Sequence, residues 1–403
     1  MSLFKLTLKS IVSRKLTTIL LILSIGLSSM LLIGIQKIKK SAKESFSYSI
    51  AGTDLIIGAR SGDIQLLLYT VFRKGTPVAN MSWNSFTKIR KFSEIEWLIP
   101  VSLGDSHRGY PVLGTSLDYF KHYKYGQKKS LILQEGTPFN HIFSVVLGAE
   151  VAKKLGYTLN NKLYLSHGLA KGNLPLHKNT PFHVVGILKP TGTPVDKTVH
   201  ITLEGMTALH RSKNKVSNLT PQSITGCFVG LKSKFSIFAV QKRIIDWPDE
   251  PLMAIIPGVS LSRLWHSIST IDTAFLMISM LVVIITFIGL LLALFLSLQQ
   301  RRRELAILRT MGAHPSQLFI LLMLESLLIT LSGVVLGIVL MVTVGKILTP
   351  LLEDKMGLIL TLNTLSSTEL YLALSIVVFG VVTSFIPALL AYRKGLSDGF
   401  ISI

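Results

Sequence analysis

The residues of this chain that could perform chemistry are widely spaced. Its histidines are concentrated between residues 36 and 271. They are His107, His122, His141, His167, His177, His183, His200, His210 and His266, with His314 outside that range. A zinc site usually needs several ligands with some close spacing, and even His177 and His183 lack a ligand-motif spacing. The pattern favours scattered surface histidines and predicts no metal site.

Some common catalytic motifs are also absent from the sequence. There is no G-x-x-x-x-G-K-[ST] phosphate loop, so the chain itself is not expected to bind ATP. The metalloprotease motif H-E-x-x-H does not occur either. The single cysteine, Cys227, excludes an intrachain disulfide and lies in a strand-like apolar run, where a small buried hydrophobe is expected. These observations predict a protein that is not an enzyme.

A second group of residues could act inside apolar segments. Glu325 is costly in lipid, so we expect it to face protein or a dimer axis; the alternative is an interfacial position from which it reaches water. Gly333 and Gly337 form a small-x-x-x-small pair that lets two helices approach closely. These positions predict packing roles inside a membrane.

Four long apolar segments must position these residues. They cover residues 16–35, 274–298, 318–344 and 370–390. About 20 helical residues, at ~1.5 Å rise each, cross a hydrocarbon core of about 30 Å. The first segment could instead be a cleaved signal peptide, but its apolar run is too long and no small-x-small cleavage site follows. The sequence therefore predicts four transmembrane helices.

Between the first two spans lies a large polar insertion with mixed secondary-structure signals. Residues 181–190 have a β-rich centre bounded by prolines, and a strand is predicted over Val199–Leu203. A helix is predicted over Ala149–Leu155, ended by Gly156 and followed by a strand over Lys162–Ser166. The predicted fold class is an α-helical membrane protein with four transmembrane helices plus a mixed α/β periplasmic domain.

The predicted organisation follows from these segments and from the basic residues between them. It comprises an amphipathic N-terminal helix (1–15), a first span (16–36), the α/β domain with stalk ends (37–271), a second span (272–298), a coupling loop (299–317), a third span (318–344), a short loop (345–369), a fourth span (370–392) and a tail (393–403). Short loops rich in Lys and Arg stay in the cytoplasm. Both termini and the coupling loop are therefore expected to be cytoplasmic. Lys37, Lys39 and Lys40 follow the first span on the side predicted to lie outside the cytoplasm, which disagrees with this rule. Long domains, however, translocate largely regardless of charge.

The domain between the first two spans is strongly basic. Residues 36–271 hold 30 Lys and Arg against 14 Asp and Glu, a net charge of +16. Such a surplus attracts anions, and anionic lipid headgroups, lipopolysaccharide or an acidic partner protein are the candidate acceptors. A solvated basic surface without a partner is the alternative. Nucleic acid is not expected as a partner of a domain outside the cell membrane.

The loop after the second span is the most specific stretch of the sequence. Residues 301–308 have helical character, with a basic cluster at the start and an apolar patch after it. Gly312 ends or bends this helix, and Pro315 can open the next one. A short helix at the cytoplasmic mouth of two spans suits docking to a soluble partner. The alternative is a basic loop that only sets orientation.

These residues resemble those of the bacterial ABC transporter permeases of the FtsX/MacB class. The family's coupling region is similar to Arg303, Glu304, Leu305, Ala306, Ile307, Leu308 and Arg309 followed by Gly312 and Ala313, with Arg301 and Arg302 before them. Its third span resembles Glu325 with Gly333 and Gly337, and its fourth resembles Pro387 with Arg393. The resemblance implies packing or coupling roles for these span residues, with coupling assigned to Glu325. Residues 54–83, 146–165 and 182–201 are similar to its periplasmic core. The resemblance covers nearly the whole chain.

The resemblance implies partners and a mechanism. It implies a homodimer or heterodimer of permease chains in the bacterial inner membrane, bound to two copies of a separate cytoplasmic ATPase. ATP and Mg would be bound by the ATPase, and the permease itself would bind no cofactor. A periplasmic partner protein is also compatible with the resemblance. The ATPase would drive export or extraction of a lipoprotein, peptide or toxic amphiphile by mechanotransmission. Signalling to a periplasmic enzyme or binding protein, or a non-transport scaffold, are the alternatives. The family often ends in D-P-x-x-A-L, whereas this chain ends in KGLSDGFISI, so the last contact with the ATPase is expected to differ.

Overall fold

The chain divides into two compact units. A computed structural model describes residues 3–167, 180–210, 219–300, 314–356 and 365–397. One unit, the membrane unit, comprises Met1–Ala42 and Ser269–Ile403, and the other, the α/β unit, comprises Lys43–Ile268. The helices are α1 (Leu3–Ser13), α2 (Lys15–Tyr48), α3 (Asp63–Thr70), α4 (Trp83–Ile89), α5 (Asp118–His122), α6 (Ala149–Leu155), α7 (Leu203–His210), α8 (Ile237–Ile245), α9 (Pro257–Gln300), α10 (Pro315–Met356) and α11 (Ser367–Ser397).

Four of these helices are long and apolar enough to cross a membrane, namely α2, α9, α10 and α11. Many of their large apolar side chains are exposed in the isolated chain, such as Leu20 on α2 and Ile284 on α9. An apolar outer surface on a helical bundle is what lipid requires. The prediction of four transmembrane helices is therefore confirmed as to their number and type in the described part of the chain. Where the bilayer begins and ends along them stays a prediction.

Three of the helices run beyond the apolar segments that define them. α2 continues past its apolar run to Tyr48, and α9 begins at Pro257, well before its own apolar run. α10 continues to Met356, into the residues that the sequence assigns to a short loop. Polar residues at these ends keep the helical periodicity, because Lys, Glu and Ser do not stop a helix that is already formed.

The α/β unit is built on one large mixed sheet. The strands are β1 (Leu55–Ala59), β2 (Met81–Ser82), β3 (Ile95–His107), β4 (Tyr110–Thr115), β5 (Lys124–Tyr125), β6 (Lys129–Ser130), β7 (Leu133–Gly136), β8 (Ser144–Leu147), β9 (Lys162–Leu163), β10 (Ser166–His167), β11 (Phe182–Leu188), β12 (Val199–Thr202), β13 (Ser223–Ile224), β14 (Gly226–Leu231) and β15 (Leu252–Ile255). The main path through the sheet is β15-β1-β14-β3-β4-β12-β8-β11-β7, with β10 on β3 and β9 on β11. Pairs β4–β12 and β8–β11 are parallel, and the other described pairs are antiparallel.

Local sequence signals are largely confirmed in this unit. Helix α6 has the predicted bounds, and Gly156 ends it in the left-handed conformation at φ 67°, which favours glycine because it has no Cβ. The strand predicted over Lys162–Ser166 is wrong as a single element. The chain forms two short strands there, because β9 pairs with β11 and β10 with β3, so it changes partner between them.

Both faces of the sheet are covered, which explains the continuous apolar strands. On β1, Ile56 joins the apolar cluster on one face, whereas Leu55 and Ile57 join the cluster on the other. All five residues of β1 are buried. A strand buried on both faces reads as an unbroken apolar run rather than as an alternation.

Cys227 lies on β14 and is fully buried, as the sequence predicts. Burial raises the pKa of its thiol, since a thiolate would lose its hydration there. We expect a maleimide to leave Cys227 unmodified in the folded chain and to label it stoichiometrically only after denaturation. Mass spectrometry before and after unfolding measures this directly. Rapid labelling of the native chain would contradict the burial of β14.

Candidate functional site

Glu325 faces protein within the membrane unit. It is 4% exposed on α10, where a buried stripe includes Leu321, Leu322, Ser326 and Ile329. These positions recur at the spacing of one helix face. A carboxylate inside an apolar bundle is retained only where it is paired or has a role, because the charge is poorly solvated there. Its buried position fits the predicted inward orientation, whereas its role in coupling stays a prediction.

Gly333 and Gly337 bring α10 into contact with α2. A Cβ on Gly333 would lie 2.6 Å from Ile25 Cγ2, and one on Gly337 would overlap Ser29 Oγ and lie 2.7 Å from the Gly26 carbonyl oxygen. Only a residue without a side chain allows this approach of two helix backbones. Gly26 on α2 contributes from the opposite side, since its own Cβ would lie 3.1 Å from Leu336.

Polar side chains also join the spans. Ser28 on α2 and Thr286 on α9 share a hydrogen bond of 2.6 Å between their hydroxyls, and Ser326 on α10 donates to the Gly380 carbonyl oxygen on α11 at 3.0 Å. Pro387 lies buried inside α11, where it removes one backbone N–H from the helix. Such small polar residues and backbone irregularities mark protein-facing surfaces of membrane helices.

A buried ion pair ties α2 to the start of α11. Lys37 Nζ lies 3.3 Å from Glu369 Oε2, and the two side chains are 5% and 1% exposed. The same carboxylate oxygen accepts the backbone N–H of Ser366 at 3.0 Å. Lys39 forms a second, more exposed pair with Asp272 at 2.7 Å. These two pairs explain how basic residues can follow the first span, since each has an acidic partner within the membrane unit.

Breaking the buried pair should destabilise the membrane unit strongly. Removing one member of such a pair leaves an uncompensated charge, which typically costs about 3–5 kcal/mol, whereas replacing both can be nearly neutral. We therefore expect Lys37→Met or Glu369→Gln alone to lower the melting temperature of the purified chain, and the double variant to recover most of the loss.

The exposed Lys39–Asp272 pair supplies the control for these single and double variants. Lys39→Met should change stability by only about 0–1 kcal/mol, because an exposed pair is screened by solvent. Thermal melts of the four variants in one detergent compare them directly. A double variant as unstable as the sum of the two single losses would show that the two residues do not act as a pair.

The predicted coupling residues lie outside the described residues. Arg301 to Arg309, together with Gly312 and Ala313, fall in the segment between residue 300, where α9 ends, and residue 314. Their proposed role therefore rests on the sequence alone. Glu325, Gly333, Gly337 and Pro387 are the predicted site residues that the structure describes, and all four are placed at helix contacts or buried positions.

The prediction of scattered surface histidines is wrong for two of them. His107 is 5% exposed and bonds through Nδ1 to the Tyr164 carbonyl oxygen at 2.7 Å and through Nε2 to the Tyr157 hydroxyl at 2.9 Å. His200 is fully buried on β12. Both rings lie in the core because the sheet is covered on both faces there. Among the described residues no group of three His, Cys, Asp or Glu could hold a metal.

His200 belongs to a buried aromatic and cationic cluster in the α/β unit. Its ring centroid lies 5.3 Å from that of Tyr119, whose hydroxyl lies 3.5 Å from Arg73 Nη2. Burial, together with the nearby Arg73 charge, lowers the pKa of His200 to about 3, so the ring is neutral at physiological pH. Burial also raises the pKa of Tyr119 to about 12. The cluster therefore holds a neutral imidazole and a protonated phenol inside the α/β unit.

His210 offers a titratable contact on α7. Its Nε2 lies 3.0 Å from Asp105 Oδ2, and this hydrogen bond raises the pKa of His210 above its ordinary value of 6.5. A hydrogen bond that raises the pKa of a histidine stabilises the folded chain at pH values below the ordinary pKa of 6.5. This stabilisation is lost as the pH rises through the raised pKa. We expect His210→Gln to lower the melting temperature more at a pH of about 5.5 than at about 9. Equal losses at both pH values would contradict this.

Three contributors to the membrane unit escaped sequence reasoning. Lys37 enters the sequence argument only as a charge that disagrees with the predicted orientation, and neither Glu369 nor Gly26 is predicted as a contact. A basic residue directly after one span and an acidic residue directly before another are the local features of this pair, but they do not show that the two residues meet. Gly26 lies with Ser28 and Ser29 in a run of small residues inside an apolar span, which is the usual mark of a close helix contact.

Comparison with known families agrees with this architecture. Residues 16–246 match the family model of the MacB-like periplasmic core domain, which is more than half of the chain. Residues 276–396 match the family described as FtsX-like permease, C-terminal. The chain belongs to the FtsX/MacB class of permeases. The resemblance noted in the coupling region and in the third and fourth spans is thereby confirmed at the level of the family, as is the predicted fold class.

Individual relatives of this FtsX/MacB-class permease are distant. It is 23% identical over 238 residues to an uncharacterized ABC transporter permease of Methanocaldococcus jannaschii, and the match covers 58% of each chain. The permease therefore spans 58% of the length of this curated relative.

Two solved structures are similar to part of the permease. The periplasmic region of MacB from Actinobacillus actinomycetemcomitans has 12% identity and a TM-score of 0.36, over 54% of this chain and 97% of that one. The extracellular domain of the noncanonic ABC-type transporter YknZ from Gram-positive bacteria has 11% identity and a TM-score of 0.32, over 50% and 98%.

Proposed function

We propose that this permease couples ATP hydrolysis by a separate cytoplasmic ATPase to movements of its α/β unit outside the membrane. Those movements would drive export or extraction of a substrate such as a lipoprotein, a peptide or a toxic amphiphile. The ATP and Mg would be held by the ATPase, and the permease would act as a non-catalytic subunit. This function accords with its family and with the absence of a phosphate-loop motif from its sequence.

The observation that carries the proposal is the continuity of two helices. α2 is a single helix of 34 residues and α9 one of 44 residues, and each includes residues of both compact units. At ~1.5 Å per residue they are about 50 Å and 65 Å long, well beyond the ~30 Å of a hydrocarbon core. A continuous helix is stiff along its axis, so a displacement at one end is passed to the other.

The residues have separate roles in this proposal. Residues 301–313 dock on the ATPase, which closes when it binds ATP. The contact of Gly333 and Gly337 with α2 holds the spans together, so that the displacement reaches the α/β unit and is not absorbed by loosening of the bundle. Four spans are too few to enclose a wide pore alone, which favours a mechanical stroke over a channel. The active assembly is then two permease chains with two ATPase copies, with both permease termini in the cytoplasm.

Isolation of the full chain in a mild detergent tests the partner. A P-loop ATPase that co-purifies at one copy per permease, identified by mass spectrometry, is the expected result. An ATPase whose hydrolysis rate changes when the permease is present would support coupling. Recovery of the chain alone from several detergents, with no ATPase bound, would overturn the proposal and favour a membrane scaffold.

A further inference from the structure

The α/β unit displays two phenylalanine rings on its surface. Phe235, in the short turn before α8, is 98% exposed, and Phe238, on the first turn of α8, is 73% exposed. Ile245, near the end of the same helix, is 42% exposed. Single exposed apolar side chains are ordinary, but clustered large ones mark interaction sites. We refer to Phe235, Phe238 and Ile245, together with the exposed Lys234 and Lys242, as the α8 face.

The α8 face is not needed for the fold of the unit. The inward side of α8 is formed by Val240 and Ile244, which are 1% and 0% exposed and belong to the apolar core. Gln241 fixes the helix further by donating from Nε2 to the Ala254 carbonyl oxygen on β15 at 2.8 Å. The helix therefore already has its buried stripe and a rigid position, and the α8 face is a second apolar surface that is preformed and open.

A shallow groove adjoins the α8 face, with which it shares Lys242. It has a volume of about 520 Å³ and is lined by Ala239, Lys242, Arg243, Asp246, Trp247 and Pro248. Its floor is fixed, since the Arg243 guanidinium lies 3.7 Å from the centre of the Phe92 ring and Trp247 Nε1 donates to Ser85 Oγ at 3.0 Å. A rigid groove that adjoins a surface with exposed aromatic rings has the form of a hot spot for a protein partner.

The charge around the groove is mainly basic. Lys234 and Lys242 are exposed, and neither takes part in an ion pair within the described residues. Asp246 is the one acidic residue that lines the groove. Arg243, by contrast, is already paired with Glu94 at 3.8 Å. The surface thus combines two exposed ammonium groups with exposed apolar rings, and it is complementary to carboxylates.

We propose that the α8 face docks an acidic amphipathic segment of another protein. Apolar side chains of that segment would pack on Phe235 and Phe238 and enter the groove, while its carboxylates would face Lys234 and Lys242. A second copy of this chain is disfavoured as the occupant, because residues 36–271 carry a net charge of +16 and the basic surfaces of two copies would repel each other. The docking does not require ATP or the ATPase, so its failure would leave the proposed coupling function intact.

Binding of a defined peptide tests this proposal on the full chain in detergent. The probe is a fluorescent helical peptide of about 18 residues, which is about five helical turns, with leucine on one face and glutamate on the other. We expect Phe235→Ser with Phe238→Ser, and separately Lys234→Glu with Lys242→Glu, each to weaken its binding about tenfold in fluorescence anisotropy. All four side chains are exposed, so neither variant should unfold.

A control variant and a control peptide distinguish an acidic amphipathic segment from other occupants of the α8 face. Val78→Ser with Leu117→Ser removes two exposed apolar side chains elsewhere on the same unit and should leave binding unchanged. The same peptide with lysine in place of glutamate should bind weakly. Equal binding of both peptides, or no effect of the α8-face variants, would overturn the proposal. Conversion of the dimer to a monomer in the phenylalanine variant would also overturn it, because that result assigns the α8 face to a second copy of the chain. Weaker binding of that variant to phosphatidylglycerol vesicles, without a change in peptide binding, would overturn it too, because that result assigns the face to lipid.

Discussion

Replacing Gly337 by leucine is expected to destabilise the membrane unit and to impair the proposed ATP-driven activity. A side chain at this position overlaps Ser29 Oγ and lies 2.7 Å from the Gly26 carbonyl oxygen, so α2 and α10 must separate. Overpacking of a well-packed contact costs about 1–3 kcal/mol even where neighbours can shift, and here the obstacle is partly backbone. We expect a lower melting temperature of the purified chain and a more than tenfold loss of ATP-driven activity in the assembled complex.

Gly289→Leu supplies the matched control for this substitution. Gly289 lies on α9, another span, and a Cβ there would meet no atom within 4 Å. The same change in side-chain volume should therefore leave both stability and activity close to those of the wild type. Normal activity of the Gly337→Leu variant would contradict the view that close contact between these helices carries the mechanical stroke.

Reversing two charges in the coupling segment is expected to uncouple the permease from its ATPase. Glu304→Lys combined with Arg309→Glu keeps the net charge but reverses its pattern on the predicted docking helix. Like charges brought together at an interface cost several kcal/mol, so docking should weaken by more than tenfold. The chain should still insert into the membrane, because its four apolar helices are unchanged. Co-purification of the ATPase and its hydrolysis rate in the complex measure the effect.

A charge swap elsewhere controls for general effects of the substitution. Lys88 and Asp249 form an exposed pair at 2.6 Å in the α/β unit. Lys88→Asp with Asp249→Lys also reverses two charges without changing the net charge, and it should leave ATPase binding intact. Undiminished ATPase binding and activity in the Glu304→Lys, Arg309→Glu variant would show that this segment is not the docking site.

The architecture of the membrane unit could be predicted because it follows from local properties of the sequence. An unbroken apolar run of sufficient length becomes a spanning helix wherever it lies in the chain. The same holds for the end of α6 at Gly156, since only glycine adopts its backbone conformation without strain. The small residues Gly333 and Gly337 likewise predicted a close helix contact, although not that its partner would be Ser29 and Gly26 on α2.

Features that depend on distant pairing could not be predicted. The Lys37–Glu369 pair joins residues 332 positions apart, and nothing near either residue specifies the other. The short strands β9 and β10 are defined by their different partners in the sheet, whereas a local pattern predicts one strand. His200 reads as a polar residue on a strand, and its burial follows only from the cover that Tyr119 and its neighbours place over that face of the sheet.

The central claim is that ATP binding in the cytoplasm moves the α/β unit. Leu117 is 55% exposed on that unit, and the single native cysteine is buried, so Leu117→Cys gives one site for a spin label in each permease chain. The distance between the labels of two chains can then be measured by pulsed electron resonance in the purified complex, with and without a non-hydrolysable ATP analogue. We predict that the analogue shifts the distance distribution and that the Glu304→Lys, Arg309→Glu variant shows no shift. An identical distribution in both nucleotide states would contradict it.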